Sequence, residues 1–292
     1  MMYGKMNIFE AENLYFLGPE GTYAQQAMKH FIKDLDIKAK NIIPKNSITA
    51  VINAVDKEKN SMAVLPIENS IEGIVRETID NLVKANDKTL KITAETVIPI
   101  NHCLMSKGKS LSEIRYVISH PQALGQCADF IGKNLPDVNT IKAASTSEAA
   151  KIISEKDEKY AAIGSEIAAE IFNLNVLATN INDVKDNKTR FILLAKLDRE
   201  ATGNDKTSIF FSVKNEPGSL CSILNVFKEF GINLIYIESR PSKKKMGEYN
   251  FCIDLEGHIT DKKISDAIST MKKHANIVSV TGSYPQFQSH FE

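Results

Sequence analysis

The feature that most constrains the fold is an alternation of short apolar segments with amphipathic segments, which runs from residue 14 to about residue 195. Leu14–Leu17 and Ser61–Ile67 are typical of the apolar segments, because they are short, β-favouring and followed by turn residues. Thr22–Ile32 is typical of the amphipathic ones, with its apolar residues at helical spacing. Strands and helices in alternation predict a mainly parallel sheet covered by helices, an α/β fold.

The pattern changes after a polar stretch at Asp198–Lys206. The segments that follow predict a strand, a helix, two strands, a helix and a strand, which is the ferredoxin-like order. We therefore expect a first domain over residues 14–197, a linker over 198–206 and a second domain over 207–285. A chain that ends near Leu197 is expected to keep a complete core for the first domain. The basic run Lys243–Lys245 is expected to form a solvated turn between two strands of the second domain.

Composition limits the partners and the compartment. The chain has 292 residues and a formal net charge of zero, so bulk charge gives no reason to expect binding to nucleic acid or to an anionic membrane. No apolar run approaches the length of a membrane helix, and Met1–Asn13 lacks the apolar core of a signal peptide. Its four cysteines are scattered, without metal-ligand spacing. We expect a cytoplasmic protein with reduced thiols and no metal site.

Polar side chains recur where predicted strands end and helices begin. They are Thr22, Asn69 and Ser70, His120 and Gln122, and Ser145 and Thr146. Open α/β sheets bind ligands at the carboxyl ends of their strands, so these residues are candidates for one shared site. The alternative is that each cluster only caps a helix. Asn69 and Glu72, for example, resemble a capping box for a helix that would continue through Val83.

The stretch Asn187–Phe191 leads from a polar segment into the apolar run Phe191–Ala195, which is predicted to be a buried strand. Thr189 and Arg190 thus lie where a loop enters a strand. Thr189 offers a hydroxyl donor, and Arg190 offers a planar fork that suits a carboxylate. Only five of the 36 basic residues are Arg, which favours a specific use for Arg190. The alternative is a strand-start threonine beside a surface arginine.

These motifs together resemble one known family, the prephenate dehydratases. The resemblance rests on Gly18–Thr22, Glu68–Ser70, His120–Leu124, Ser145–Thr146 and Thr189–Phe191, which occur in the family's order. The tail resembles the family's regulatory ACT domain, with Gly218–Cys221 in the place of Gly-Ala-Leu-Val and with Glu238–Pro241 intact. The resemblance covers nearly the whole chain, from Leu14 to Pro285. Ala24-Gln25-Gln26 and Cys221 depart from the usual residues.

The resemblance implies a two-lobed α/β domain like the type II periplasmic binding proteins, with prephenate bound in the cleft. The implied reaction is the decarboxylating dehydration of prephenate to phenylpyruvate, which needs no cofactor because aromatisation drives it. Thr189 would protonate the leaving hydroxyl, Arg190 would bind the side-chain carboxylate, and Phe191 would contact the substrate. Thr22, Asn69, Ser70, His120, Gln122, Ser145 and Thr146 would complete the substrate site. The chain shows no all-helical chorismate mutase segment, so dehydratase activity alone is expected.

The resemblance also implies feedback inhibition by L-phenylalanine. The implied effector site comprises Gly218, Ser219, Leu220, Cys221, Asn233, Glu238, Ser239, Arg240 and Pro241. Pairing of two ACT domains would give a homodimer or homotetramer. Two other functions remain open from the sequence: an arogenate dehydratase, with the same chemistry on an amino-acid substrate, and a non-catalytic amino-acid sensor.

Overall fold

The computed structural model describes residues 9–84, 89–241 and 249–287. The predicted turn at Lys243–Lys245 lies outside these ranges. The described residues form three β-sheets, one in each lobe of the first domain and one in the second domain. Within these ranges no helix is long and apolar enough to cross a membrane.

Lobe 1 is a six-stranded sheet with the order β2-β1-β3-β11-β5, and a short β4 pairs with β3. Its strands are β1 (Glu10–Leu17), β2 (Lys38–Lys45), β3 (Ser61–Asn69), β4 (Gly73–Ile74), β5 (Lys91–Pro99) and β11 (Lys188–Ala195). The strands β1, β2 and β3 are parallel, as predicted, but β11 runs antiparallel to both β3 and β5. This difference arises because the chain returns from lobe 2 through β11.

Three helices cover the two faces of this sheet: α1 (Tyr23–Leu35), α2 (Ile48–Lys57) and α3 (Arg76–Lys84). Alternate residues of β11 therefore enter two different cores. Phe191 and Leu193 pack with α1, whereas Ile192 and Leu194 pack with α2 and α3. The predicted helix from Asn69 through Val83 is wrong at its start, because a turn and β4 come before α3.

Lobe 2 is a five-stranded sheet with the order β10-β6-β9-β7-β8. Its strands are β6 (Cys103–Ser106), β7 (Tyr116–Ser119), β8 (Asn139–Lys142), β9 (Tyr160–Gly164) and β10 (Asn175–Ala178). Its α-helices are α4 (Pro121–Gln126), α5 (Ala128–Asn134), α6 (Thr146–Ser154) and α7 (Glu166–Ile171), and Leu111–Glu113 forms a 3-10 turn. As the sequence predicts, Pro121 occupies the first turn of α4, and the Ser145 side chain caps α6.

The chain crosses between the lobes twice, after β5 and before β11. The Ile100 N–H donates to the Asn187 carbonyl at 2.8 Å, so the two crossing segments are hydrogen-bonded to each other. The loop before α1 also reaches lobe 2, where Ser165 Oγ donates to the Gly21 carbonyl at 2.6 Å. Gly21 has a φ of 84°, and a Cβ there would lie 2.8 Å from Ser147 Oγ. Glycine is required at this contact for both reasons.

The second domain has the predicted β-α-β-β-α-β order. Its elements are β12 (Asp205–Ser212), α8 (Ser219–Glu229), β13 (Leu234–Pro241), β14 (Tyr249–Glu256), α9 (Lys262–Met271) and β15 (Ile277–Pro285), and the sheet order is β13-β14-β12-β15. The predicted linker ends too late, because Asp205 and Lys206 already belong to β12 and both are buried.

One hydrophobic cluster spans the two domains, so the core of lobe 1 is incomplete without the second domain, which contradicts the expectation for a chain ending near Leu197. The second domain also has a cluster of its own beneath α8 and α9. Phe210, Cys252 and Tyr284 of the second domain are buried in the same cluster as Ile192 and Leu194 of lobe 1. The last strand, β15, lies directly against β5. At Gly282 the approach is so close that a Cβ would lie 2.2 Å from the Ile92 carbonyl oxygen. At this point the two strands are in direct contact, and only a residue without a side chain fits at position 282.

Candidate active site

A cleft of about 470 Å³ opens between the two lobes. Most of the residues proposed from the sequence line it, and they come from both lobes. They are Thr22, Asn69, His120, Gln122, Ser145, Thr146, Thr189 and Phe191. Segments that are distant in sequence therefore meet in one cavity, which is large enough for a small organic ligand.

Thr189 lies at the bottom of this cleft, with its residue only 7% exposed. The Asn69 side-chain amide donates to Thr189 Oγ1 at 2.9 Å. Since the hydroxyl oxygen accepts this hydrogen bond, its own proton is free to point elsewhere. The described residues offer that proton no acceptor, so it can be donated to a ligand in the cleft.

Asn69 is itself held in place from both ends of its amide. Its oxygen accepts from the N–H groups of Ile71 and Glu72, at 3.0 and 2.9 Å. Its nitrogen also donates to Asn187 Oδ1 at 2.7 Å. Asn69 therefore caps a turn rather than the predicted helix, and the turn fixes which end of the amide faces Thr189.

A chain of polar side chains continues from Asn69 across the cleft. Asn187 Nδ2 donates to Gln126 Oε1 at 3.2 Å, His102 Nε2 lies 3.2 Å from the same oxygen, and Tyr23 Oη lies 2.9 Å from His102 Nδ1. The sequence reasoning missed Tyr23, His102 and Gln126 as site residues. Gln126 could have been found, because it lies four residues after Gln122 on the same helix and hence on the same face.

His102 is buried, and its protonation state follows from its neighbours. Gln126 Nε2 points to Glu72 Oε1 at 3.4 Å, which leaves the Gln126 oxygen facing His102. His102 Nε2 faces that oxygen, and His102 Nδ1 lies 2.9 Å from Tyr23 Oη, which itself donates to the Asn101 carbonyl at 2.9 Å. Burial lowers the pKa of His102, against the opposing effect of the Gln126 hydrogen bond. The imidazole is therefore neutral at neutral pH, where it orders the cleft without adding charge.

Two helix N-termini open onto the cleft, one from each lobe. The Thr22 side chain caps α1 and the Ser145 side chain caps α6. First-turn N–H groups lack partners within their own helix and carry the positive end of the helix dipole, so both ends suit an anion. Within the described ranges, none of the residues that line the cleft is Lys or Arg. Any carboxylate bound here would rely on backbone N–H groups and hydroxyls.

Arg190 does not reach the cleft, which corrects the expectation that it binds substrate. Neighbouring residues of a strand point to opposite faces of the sheet, so Thr189 and Arg190 cannot both face the cleft. The Arg190 guanidinium lies against the second domain, 2.6 Å from Glu95 Oε2 and 2.8 Å from Asp254 Oδ2. Its Nε donates to Glu95, its Nη2 donates to Tyr284 Oη, and its contact with Asp254 is an ion pair.

Ser70 also lies outside the cleft lining. Its hydroxyl donates to the Asp186 carbonyl at 3.1 Å and accepts from the Lys188 N–H at 2.9 Å. These bonds join the end of β3 to the segment that enters β11. Ser70 therefore supports the positions of Asn69 and Thr189 from behind.

The residues proposed for an effector site fall into two groups at opposite ends of the second domain's sheet. Gly218, Ser219, Leu220 and Cys221 lie at the start of α8, near Glu238, Ser239, Arg240 and Pro241 at the end of β13. Asn233 precedes β13, about 23 Å away by the rise of an eight-residue strand. A site that contains all of them cannot be formed within one copy of the chain.

Comparison with known proteins agrees with this geometry. The family model for prephenate dehydratase matches residues 14–199, and the ACT domain model matches residues 207–270. The chain belongs to the prephenate dehydratase family. It is 44% identical over 273 residues to the prephenate dehydratase of Methanocaldococcus jannaschii, covering 92% of this chain and 96% of that protein. It is accordingly a dehydratase enzyme with a C-terminal ACT domain.

Two solved structures are similar over nearly the whole chain. The prephenate dehydratase of Arthrobacter aurescens in complex with L-Phe has a TM-score of 0.84 and 34% identity, covering 94% of this chain and 90% of that one. GqqA, described as a novel type of quorum quenching acylase, also has a TM-score of 0.84, with 25% identity and coverage of 94% and 98%. One fold therefore carries two named activities.

Proposed function

We propose that this dehydratase converts prephenate to phenylpyruvate and that L-phenylalanine inhibits it. One observation carries the catalytic proposal: Asn69 donates to Thr189 Oγ1 at 2.9 Å, which leaves the threonine proton for a group in the cleft. Prephenate must lose a ring hydroxyl, which is a poor leaving group. A hydrogen-bond donor on that oxygen stabilises the charge that develops on it as the C–O bond breaks.

The electrons for this step come from the substrate. The bond between the ring and its carboxylate breaks, CO₂ leaves, and the electron pair moves through the ring to expel the hydroxyl oxygen. That oxygen departs as hydroxide hydrogen-bonded to Thr189 and becomes water on taking up a proton. The step requires no base, because carboxylate loss supplies the electron pair. The Asn69 N–H makes Thr189 a better donor, because it withdraws electron density from the hydroxyl oxygen.

Substrate charge is the second requirement of this reaction. Prephenate carries two carboxylates, and the N-termini of α1 and α6 face the cleft from opposite lobes. We assign one carboxylate to these N–H groups, with Thr22, Ser145 and Thr146 adding hydroxyls. Gln122 and His120 lie at the start of α4 on the same cleft wall. The carboxylate that is lost meets the less polar side near Phe191, where poorer solvation favours its departure.

Inhibition by phenylalanine is assigned to a pair of ACT domains. β13 is an edge strand of its sheet, and Ile235 and Ile237 on it are 38% and 43% exposed. Antiparallel pairing of two β13 strands would cover both residues. It would also bring Asn233 of one copy towards the α8 start of the other. Gly218, with a φ of 83°, shapes the turn before that helix. The effector carboxylate would bind the α8 N-terminus, in a homodimer or a tetramer built from it.

Incubation of the purified protein with prephenate tests the catalytic proposal. Phenylpyruvate, followed by its absorbance at alkaline pH, should form faster than in a protein-free control. Arogenate and an N-acyl homoserine lactone, assayed in parallel, separate the same elimination on an amino-acid substrate from the acylase activity named for GqqA. Turnover of either one with prephenate untouched would contradict the proposal.

Calorimetry and a sizing measurement test the regulatory proposal. L-Phenylalanine should bind, lower the prephenate turnover and leave a dimer or larger assembly in solution. Asp266→Asn, on an exposed pair with Lys262 of α9, serves as a control that should bind and respond like wild type. Absence of binding at millimolar phenylalanine, or a monomer that is still inhibited, would overturn this assignment.

A further inference from the structure

The second domain contacts lobe 1 on β5 and β11, the two strands that lead to and from lobe 2. These are the strands on either side of the interlobe crossing, so a force applied to them acts on the hinge of the cleft. A cluster of buried polar groups, the interface cluster, joins them to the second domain. It consists of Glu95 and Arg190 from lobe 1 and Lys206, Ser208, Asp254 and Tyr284 from the second domain.

Arg190 is the centre of the interface cluster. Its Nε donates to Glu95 Oε2 at 2.6 Å, its Nη1 lies 2.8 Å from Asp254 Oδ2, and its Nη2 donates to Tyr284 Oη at 2.9 Å. All three faces of the guanidinium fork are therefore occupied, two of them by the second domain. The side chain is only 11% exposed, so these contacts are shielded from water.

Glu95 joins the two domains from the other strand. It is 2% exposed and accepts from Arg190 with one oxygen and from Lys206 Nζ, at 2.9 Å, with the other. The Phe287 N–H adds a third donor at 2.9 Å. Burial by itself would raise the pKa of Glu95, but Arg190 and Lys206 outweigh it and hold the pKa below its ordinary value. The carboxylate is ionised in the folded protein.

The interface cluster lies directly behind the catalytic pair. In the register of β11 with β3, Thr189 is opposite Asn69 and Arg190 is opposite Glu68. A β-bulge follows at once, because Phe191 pairs with Pro66 and Ile67 is passed over. The extra residue is on β3, so the bulge interrupts the ladder on that side of β11, while the pairing of β11 with β5 continues without a break from Lys188 to Leu193. The side-chain contacts of Arg190 add a further anchor one residue from Thr189.

The strand proposed to carry effector residues also reaches this cluster. Tyr236 of β13 lines the same small cavity as Arg190 and Asp254. Further along β13, Arg240 Nη2 lies 3.3 Å from Asp80 Oδ1 of α3 in lobe 1. A shift of β13 on effector binding would therefore change the surroundings of Arg190 directly.

We propose that Arg190 is a positioning residue, held by Asp254 and Tyr284 of the ACT domain, which keeps the Thr189 hydroxyl against Asn69 and carries effector control to the cleft. This inference rests on the proposed function. In it the ACT domain completes the active site as well as inhibiting it. Loosening the anchor would misplace the donor proton, and a misplacement of about 1 Å can cost about 10²-fold in rate.

Asp254→Asn in the full chain tests the proposal, since it removes the second domain's carboxylate from Arg190, leaves Glu95 and Glu68 of lobe 1 in place and does not touch the cleft. The expected kcat for prephenate falls about fivefold or more, with KM within about twofold of wild type. Phenylalanine still binds by calorimetry, but saturating phenylalanine changes turnover much less than in wild type. If Asp254→Asn does not fold, Tyr284→Phe, which removes one hydroxyl from the interface cluster, is assayed for kcat, KM and inhibition in its place. Asp266→Asn is the matched control, with kcat and inhibition unchanged.

A double-mutant cycle separates positioning from general weakening of the fold. In a Thr189→Ala background there is no hydroxyl to position, so Asp254→Asn should leave the residual rate nearly unchanged. An equal proportional loss in both backgrounds would overturn the proposal, and so would wild-type kcat and inhibition in both interface variants. A wild-type protein that does not dehydrate prephenate would instead overturn the proposed function.

Discussion

At the scale of single residues, the proposed mechanism depends on the direction of one proton. Thr189 is a feeble acid by itself, and its value as a donor comes from the amide on its other side. Asn69 presents N–H to the hydroxyl because its oxygen is occupied by the turn at Ile71 and Glu72. Backbone geometry therefore determines the polarity of the catalytic hydrogen bond, two contacts away from the substrate.

Asn69→Asp reverses that polarity and keeps the shape of the side chain. A carboxylate would accept the Thr189 proton instead of donating to its oxygen, so the proton would turn away from the cleft. We expect kcat for prephenate to fall by about 10²-fold. Asn139→Asp, at an exposed position on β8, makes the same chemical change and should leave kcat as it is. Steady-state kinetics at neutral pH decide this, and a wild-type kcat for Asn69→Asp would contradict it.

The residues of the cleft could be predicted from the sequence better than the residues of the interface between lobe 1 and the second domain. Thr22, Ser145 and Thr189 were found because caps and strand ends have local patterns. The assignment of Arg190 to the substrate rests on its planar fork, on the scarcity of Arg in the chain and on the family resemblance, but strand alternation places it on the face opposite to Thr189. Its true partners, Glu95 and Asp254, are distant in sequence and have no motif, so only the folded chain identifies them.

At the scale of elements, β5 and β11 do two jobs. They connect the lobes, and they form the surface of lobe 1 against which the second domain packs. Their charged residues face that domain, while Thr189 and Phe191 of β11 face the cleft. A strand that alternates between two sites links those sites without any intervening network, which is why the interface cluster matters for catalysis.

The pH dependence of stability should report on Glu95. Its pKa in the folded protein lies below the ordinary 4.5, so its contribution is complete above pH 4.5 and is lost as the pH falls through the folded value. Glu95→Gln should lower the free energy of unfolding at pH 7 by about 3–5 kcal/mol. The gap to wild type should narrow at pH 4 and below. Denaturant titrations at several pH values measure it, and a gap that is constant with pH would contradict the assignment.

Gly282 tests the packing of β15 on β5. Alanine there would place a Cβ 2.2 Å from the Ile92 carbonyl, so the strands must separate, at a cost of about 1–3 kcal/mol. We expect Gly282→Ala to lower the midpoint of thermal unfolding. Gly132→Ala is the control, because it lies within α5 with open space around it and should be neutral or stabilising. Equal unfolding midpoints for Gly282→Ala and wild type would show that this contact is looser than the structure has it.

At the scale of the whole molecule, the chain is organised as two lobes and an ACT domain, and one hydrophobic cluster joins lobe 1 to the ACT domain. The broad alternation of strands and helices could be predicted from periodicity and caps, whereas the short strands β4, β8 and β10 could not. The packing of the second domain on lobe 1 could not be predicted, because the polar stretch before β12 has the composition of a linker and carries no information about the contacts of the residues that follow it. The lobe 1 core is completed by three residues of the second domain, which are Phe210, Cys252 and Tyr284.

A chain that ends at Leu197 is therefore expected to be unstable or inactive, rather than an unregulated enzyme. Truncation would expose the apolar surface around Ile192 and Leu194 and leave Glu95 without Lys206. Solubility, near-ultraviolet circular dichroism and prephenate turnover of the truncated and full chains measure this. A truncated chain with a native spectrum and wild-type kcat would contradict the shared core.

The most direct test of the account is the turnover of prephenate by two variants at Thr189. Thr189→Ala removes the donor hydroxyl and should lower kcat by about 10²-fold or more, whereas Thr189→Ser keeps the hydroxyl and should stay within about tenfold of wild type. Both should bind L-phenylalanine like wild type, because the ACT domain is untouched. An equal loss of kcat in the two variants, or no loss in either, would contradict a Thr189 hydroxyl that donates to the leaving group.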